Sequence, residues 1–517
     1  MKKLFFILII VNIFYFDAKI SLAQTISTKS QFNETFRPQF HFSPSHGWMN
    51  DPNGLVYLKG EYHLFYQYYP KDIKWGPMHW GHAVSTDLIS WNHLPIALFP
   101  DSLGLIFSGS VVVDKNNTSG FFPATQNGMV AIFTHDSPKG EKQSIAYSYD
   151  LGRTWTKHSS NPVIANFGIH DFRDPKVFWY DPEKKWVMVV SLAKNQKLQF
   201  YESKNLRNWK LTGEFGPEGW HKENNLWECP DLFEIKTEDG KTKKWVLLMS
   251  VSEGFQTGSA MQYFVGDFDG KKFSNESSKE IVKWVDEGKD LYAGVTFNNI
   301  SDKDGRTLMV GWLNNWQYAD KVPTKRWRGA LSFVNELKLS KTTDKYIIKR
   351  EAVDEIKKLR KSNFNKSEIS INDLNEAIKK NKVGGKLLEI NIKAEIIKDD
   401  FGIKFKNKEG QECIIKYEVN SKQLTFDRSK SGNVSFDKNF AVVYSVPLTL
   451  NNNQLQLHIF IDNASIEVFV NQGEKVLTNQ VFPDCFYNEI LFFGNEKNII
   501  HSFDMWNLEA MKFENDK

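Results

Sequence analysis

Ser85-Thr86-Asp87-Leu88-Ile89-Ser90-Trp91 returns in altered form twice. It recurs as Ser148-Tyr149-Asp150-Leu151-Gly152-Arg153-Thr154-Trp155 and as Ser203-Lys204-Asn205-Leu206-Arg207-Asn208-Trp209. The Trp residues stand at intervals of roughly 55–65 residues, a period long enough for one small sheet per repeat. Around them, from about Phe36 to Leu339, run short β-like stretches separated by turn clusters: EYHLFYQYY, SGSVVVD, MVAIFTHD, KWVMVVSLA, KWVLLMSV and RTLMVGWL. Helical periodicity is nearly absent. Three unrelated hairpin turns would be the plainer explanation. A repeat on an all-β background favours propeller blades of four strands, about five of them over roughly 300 residues.

Residues 36–340 are therefore expected to form a five-bladed β-propeller. Charge density rises over 341–380, where EAVDEIKKLRKS and EISINDLNEAIKK look partly helical, and this reads as a linker. From 381 to 517 the pattern alternates apolar and polar at period two, in LLEINIKAEI, DFGIKFKN, ECIIKYEV and LQLHIFIDNASIEVFVN, as a β-sandwich would. At the other end, Lys2-Lys3, an apolar run from Leu4 to Phe16 and the small residues before Gln24 predict a secretory signal over 1–23. The run is short for a membrane span, and no cysteine near the cleavage point suggests a lipid anchor.

Net charge is +4, from 66 basic and 62 acidic residues, which gives no electrostatic case for nucleic acid. Cys229, Cys413 and Cys485 allow at most one bridge and exclude a disulfide framework. Aromatic residues make up 14% and include 16 Trp, a load suited to a large β-core or to platforms for flat ligand faces such as sugars.

Three acids stand in similar settings. Asp51 lies in Trp48-Met49-Asn50-Asp51-Pro52-Asn53-Gly54, Asp174 in Asp171-Phe172-Arg173-Asp174-Pro175, and Glu228 in Trp227-Glu228-Cys229-Pro230-Asp231. The first stretch reads as a turn, since Pro fixes φ and Asn and Gly tolerate positive φ. Acids at the starts of successive innermost strands would converge on one central funnel. Glycosidic cleavage needs such a set, with one carboxylate charged for attack and another protonated for the leaving oxygen. Apolar flanks are expected to raise the Glu228 pKa, backbone N–H donors to keep Asp51 ionised, and Arg173 to keep Asp174 charged.

Together, WMNDPNG, FRDP and WECPD, with FYQYYP, WGPMHWGHA, FSGS, DLYAG and SIEVFVN, resemble glycoside hydrolase family 32, the β-fructosidases. The resemblance covers essentially the whole mature chain. It implies a five-bladed propeller followed by a β-sandwich, with retention at the anomeric carbon. It also implies Asp51 as nucleophile, Glu228 as general acid/base and Asp174 as transition-state stabiliser. Asn50, Gln67, Trp75, Phe107, Ser108 and Arg173 match positions that line the fructose subsite, with Trp48, Tyr292 and Trp312 as wall residues. No cofactor is implied, and the partners are a fructan or sucrose.

WGPMHWGHA looks more like the exo-acting inulinases and levanases, which favours release of terminal fructose from a polymer. A sucrose-specialised invertase, an endo-levanase and a non-catalytic fructan-binding protein stay open. His79 and His82 could suggest a metal, but their spacing in a strand points them to opposite faces, so no metal is expected. Phe460 and Phe469 of the C-terminal region are expected in its core rather than in a binding face.

Overall fold

All three copies of the repeat fall at one place, between the third and fourth strands of a sheet. In the first, Ser85 Oγ accepts from the Asp87 and Leu88 amides and Asp87 Oδ1 from the Ile89 and Ser90 amides. Asp150 and Asn205 do the same for the Thr154 and Asn208 amides. The central leucines, Leu88, Leu151 and Leu206, all have φ near +60°. That conformation strains a leucine by about 1–2 kcal/mol. Leu88 and Leu206 are buried, and burying a leucine contributes about 1.5–3 kcal/mol, enough to offset it. The Trp155 and Trp209 indoles donate back to the Gly152 and Leu206 carbonyls and close the turn.

The computed structural model describes residues 32–512 apart from 124–127, 167, 257, 302 and 343–344. The expected signal segment, 1–23, lies outside them. The described chain is all-β apart from short helical pieces. Five antiparallel sheets follow one another in sequence, each running strand by strand from inside to outside. Their first strands are β1 (Gly47–Leu58), β2 (Leu105–Asp114), β3 (Phe172–Tyr180), β4 (Trp227–Lys236) and β5 (Tyr292–Thr296). β1 adjoins β2, and so on round to β5, which adjoins β1 again. Late in the region, Trp327–Arg328 pairs parallel with Gly47 and Trp48, tying the last sheet to the first.

Side chains lace these inner strands together. Ser110 on β2 donates to the Pro175 carbonyl and accepts from the Val177 amide of β3. Lys176 on β3 reaches Asp231 of β4 at 3.0 Å and the Thr296 carbonyl of β5 at 2.8 Å. Its ammonium is buried, and burial lowers its proton affinity against the pull of Asp231.

Two further sheets, of six and five strands, follow. Ile390, Ile459 and Leu457 of one and Phe405, Ile415 and Phe426 of the other belong to one apolar core. The stretch 341–380 is not a linker. Tyr346–Ala352 is the outer strand of the fifth sheet, and Arg360–Ser370 is the edge strand of the six-stranded sheet. Its high charge marks an edge strand facing solvent rather than a connection. Of the two stretches expected to be partly helical, EAVDEIKKLRKS holds only a 3-10 turn over Asp354–Leu359, while the second contains α1 (Ile371–Lys380), capped by Ser370 Oγ on the Asp373 amide, with Ile371, Leu374 and Ile378 in the core.

The two regions meet across a buried seam. Phe460 and Phe469 are buried as expected, but their partners include Phe40 and Phe333 of the first region. Beside them, His41 lies 2.8 Å from Asp462 and 2.6 Å from Glu467. Arg428 bonds Asp290 at 2.5 Å and the Tyr318 hydroxyl at 2.7 Å.

Candidate active site

Every inner strand breaks its pairing register at the same end. β1 shifts between Met49 and Pro52, β2 between Ile106 and Gly109, and β4 between Glu228 and Asp231. β5 shifts between Tyr292 and Val295, and the partner of β3 shifts between Val189 and Ser191, opposite Asp174 and Pro175. A bulge leaves a residue unpaired and re-aims its side chain. Asp174, Cys229 and Ala293 accordingly have positive φ, of 65°, 50° and 52°. The stretch from Asn50 to Gly54, expected as a turn, is thus an interior part of a bulged strand. Proline fits there because a bulge does not require its missing N–H. Asn53 serves the bulge with its side chain, donating to the Asp51 carbonyl at 2.7 Å and accepting from the Gly109 amide at 2.9 Å.

The bulges bring Asp51, Asp174 and Glu228 together around one thiol. Cys229 Sγ lies 3.5 Å from Asp51 Oδ2 and 3.6 Å from Asp174 Oδ2. Asp51 accepts from Ser108 Oγ at 2.6 Å and from Asn50 Nδ2 at 2.9 Å, and Asn50 is itself held by the Trp48 indole at 2.7 Å. Asp174 Oδ2 accepts the Cys229 amide at 2.9 Å, and its own amide donates to Thr134 Oγ1. Glu228 carries a donor on each oxygen: Arg173 Nη1 at 2.7 Å and the Tyr292 hydroxyl at 2.5 Å. Arg173 also bonds Glu141 at 2.9 Å and Asp171.

These environments differ from those expected. Trp227 is buried against Phe215 and Phe264, so the flank meant to desolvate Glu228 faces the sheet interior instead. What touches Glu228 is a cation and a phenol. Asp51 is held by two side chains rather than by backbone amides, and burial pushes its carboxyl up despite them. Asp174 is pushed well above the usual carboxylate range by burial and then by Glu228, while Arg173 pulls the other way. Arg173 spends its hydrogen bonds on Glu141, Asp171 and Glu228, which is why its neighbour in sequence is left under-compensated.

The remaining residues frame this cluster. Trp48 and Trp312 are fully buried, with ring centroids 6.2 Å apart, and both pack on Trp316. Phe107 meets the edge of Trp75, which is 46% exposed. Gln67 is buried on the second strand of the first sheet and makes no direct side-chain bond to the three acids; its amide nitrogen lacks a partner, as does the Trp312 indole. Buried donors without partners suit a ligand that brings oxygens.

His79 bonds the Pro77 carbonyl while His82 is buried on Phe65, and no group of His, Cys, Asp or Glu among the described residues is arranged for a metal. The three cysteines are free. Sequence reasoning missed Glu141 and Trp316. Pro138-Lys139-Gly140-Glu141 reads as an ordinary exposed turn, whereas Trp316 could have been found as an aromatic directly after Asn314-Asn315.

Comparison with known proteins follows the same outline. Residues 41–350 match the glycosyl hydrolases family 32 N-terminal domain, and residues 355–507 match the glycosyl hydrolases family 32 C terminal domain. A levanase of Bacillus subtilis is 47% identical over 462 residues, covering 88% of this chain and 68% of that protein. An extracellular exo-inulinase of Aspergillus niger is 37% identical over 497 residues, covering 87% and 90%. Among solved structures, the exo-inulinase of Aspergillus awamori superposes with a TM-score of 0.83 at 34% identity, covering 93% of this chain and 99% of that one. The β-fructofuranosidase of Schwanniomyces occidentalis, solved with fructosyl-erythritol, gives 0.83 at 32% identity, covering 94% and 100%. With both of its regions matched and relatives more than 30% identical over most of its length, the chain belongs to glycosyl hydrolases family 32 and is a glycosidase.

Proposed function

We propose that the chain is a secreted, retaining exo-β-fructosidase that removes terminal fructosyl units from fructans and also cleaves sucrose. Asp51 is the nucleophile, Glu228 the general acid/base and Asp174 the stabiliser of the oxocarbenium-like transition state. The observation that carries the reading is the gathering of three carboxylates, from three different inner strands, around Cys229 and a single guanidinium. Burial, and then the nearby charge of Glu228, makes Asp51 and Asp174 slower to ionise as pH rises, and the chemistry needs one proton on the acid and one charge on the nucleophile.

Ser108 and Asn50 each hold one Asp51 oxygen, fixing the plane from which the carboxylate attacks the anomeric carbon. Glu228 gives its proton to the leaving oxygen. In the second step it takes a proton from the water that cleaves the fructosyl–Asp51 ester. The Tyr292 hydroxyl donates to the charged Glu228 and can accept from the neutral form, so it serves both states. The Asp174 carboxylate opposes the positive charge that develops on the ring.

The five sheets read as blades of a propeller, closed by the ring of β1 to β5, and the two later sheets as a sandwich. Extracellular action accords with the signal pattern of residues 1–23 and with the Aspergillus relatives, named extracellular.

The test is a product profile on levan, inulin and sucrose, each incubated with the purified chain. Fructose appearing alone from a polymer is the expected result. Oligosaccharides appearing first would overturn exo action, activity on sucrose alone would make the chain an invertase, and binding without turnover would overturn the enzyme reading.

A further inference from the structure

Glu141 stands outside the sequence motifs, in the connection just before the third strand of the second sheet, yet it ends in the active site. Its Oε1 accepts from Arg173 Nε at 2.9 Å, while Arg173 Nη1 donates to Glu228 at 2.7 Å. One guanidinium therefore links three consecutive sheets, with Glu141 just before the third strand of the second, Arg173 on the third and Glu228 on the fourth. The other Glu141 oxygen is buried and has no partner. A carboxylate kept only to brace the fold would ordinarily have both oxygens satisfied, since a buried acceptor without a partner is destabilising.

We infer that Glu141 is a positioning residue for the proposed reaction, fixing Arg173 through its Nε and so setting how much of the guanidinium's charge reaches Glu228. The inference rests on the acid/base role given to Glu228 above. The groups that bear on Glu141 are Arg173, Asp171 and Asp136. Burial pushes the Glu141 carboxyl up to about 7, Arg173 opposes this, and Asp171 and Asp136 add to it. Burial alone would lower the proton affinity of Arg173, but Glu228, Glu141, Asp174 and Asp171 outweigh it, so the cation is permanent and the question is only how it is shared.

The direction follows from the charges. An ionised Glu141 neutralises part of Arg173 and leaves Glu228 more ready to hold a proton. A neutral side chain at this position leaves more positive charge facing Glu228, which then gives up its proton at lower pH. Since loss of the acid's proton sets the basic limb of the activity profile, that limb is where Glu141 acts.

The test compares kcat and kcat/KM on sucrose as a function of pH for the wild-type chain, Glu141→Gln and Glu141→Asp, with thermal melts of each. Glu141→Gln should move the basic limb of kcat/KM to lower pH by about one unit, lower kcat at pH 7 several-fold and leave KM within about twofold. Glu141→Asp keeps the charge but falls short of Nε, so it should lower kcat with the limb within about 0.3 unit of wild type. A Gln profile of wild-type shape merely scaled down, or equal shifts in both variants, would overturn the inference. So would an effect confined to KM. Should Glu141→Gln not fold, Glu141→Asp decides alone, and an unchanged kcat there overturns it. If the wild-type chain cleaves no fructoside, it is the proposed function that fails, and the two failures are told apart.

Discussion

Two of the places where the molecule buries charge treat it in opposite ways. At the seam between its two regions, buried acids are set directly against cations. His41 sits between Asp462 and Glu467, and Arg428 between Asp290 and Tyr318. Burial would keep His41 neutral, but its two carboxylate partners win and raise its pKa to about 9. At the ring of bulges the acids outnumber the cations. Arg173 serves Glu141, Asp171 and Glu228, and Asp51 and Asp174 are left with neutral donors and raised proton affinities. Paired buried charge fixes how two units dock; unpaired buried charge stores a proton and a nucleophile at the expense of stability.

Breaking the two places should therefore produce opposite kinds of loss. The largest effect belongs to Asp51→Asn and Glu228→Gln, each expected to lower kcat at least about 10³-fold with the fold intact, checked by initial rates and circular dichroism. Next comes the seam. Arg428→Met strands the Asp290 carboxylate in the interior and should destabilise by about 3–5 kcal/mol, read from the midpoint of denaturant unfolding, with little change in kcat for the fraction that remains folded. His41 sharpens the contrast through pH. Its folded pKa is raised from 6.5 to about 9, so its contribution to stability is full below pH 6.5 and lost as pH rises through 9. His41→Gln should flatten that slope in melts taken across the range. The smallest effect is expected at the rim, where Trp75 is 46% exposed. Trp75→Ala should raise KM roughly 10-fold with no change in melting temperature.

How much of this was legible depended on whether a residue's task was local. The repeat around Trp91, Trp155 and Trp209 gave away three of the five sheets, because Ser, Asp or Asn and Leu are needed to build that turn. The fourth sheet closes with a different turn, at Asp269-Gly270, and no copy of the repeat precedes the last strand of the fifth, so no repeat marked either. The three acids were visible in their motifs. Their protonation was not, since burial and the division of Arg173 among its partners arise only when residues distant in sequence meet, Glu141 and Glu228 standing 32 and 55 positions from Arg173. The bulge at Asn50 to Gly54 was misread as a turn because Pro, Asn and Gly serve both. Glu141 left no trace, being a common residue whose significance lies wholly in where β3 places Arg173.

The contrast between the two places comes down to Asp174, and melting temperature against pH for wild type and Asp174→Asn examines it. The raised proton affinity means that the ionised carboxylate is destabilising in the folded state at neutral pH, and that this burden vanishes as pH falls toward the unfolded-state value near 3.9. Asp174→Asn should melt several degrees higher than wild type at pH 7, with the gap closing toward pH 4, while kcat falls at least about 100-fold. A variant that melts lower at pH 7, or one that keeps wild-type turnover, would show that Asp174 is part of the scaffold and not of a site held together against its own charge.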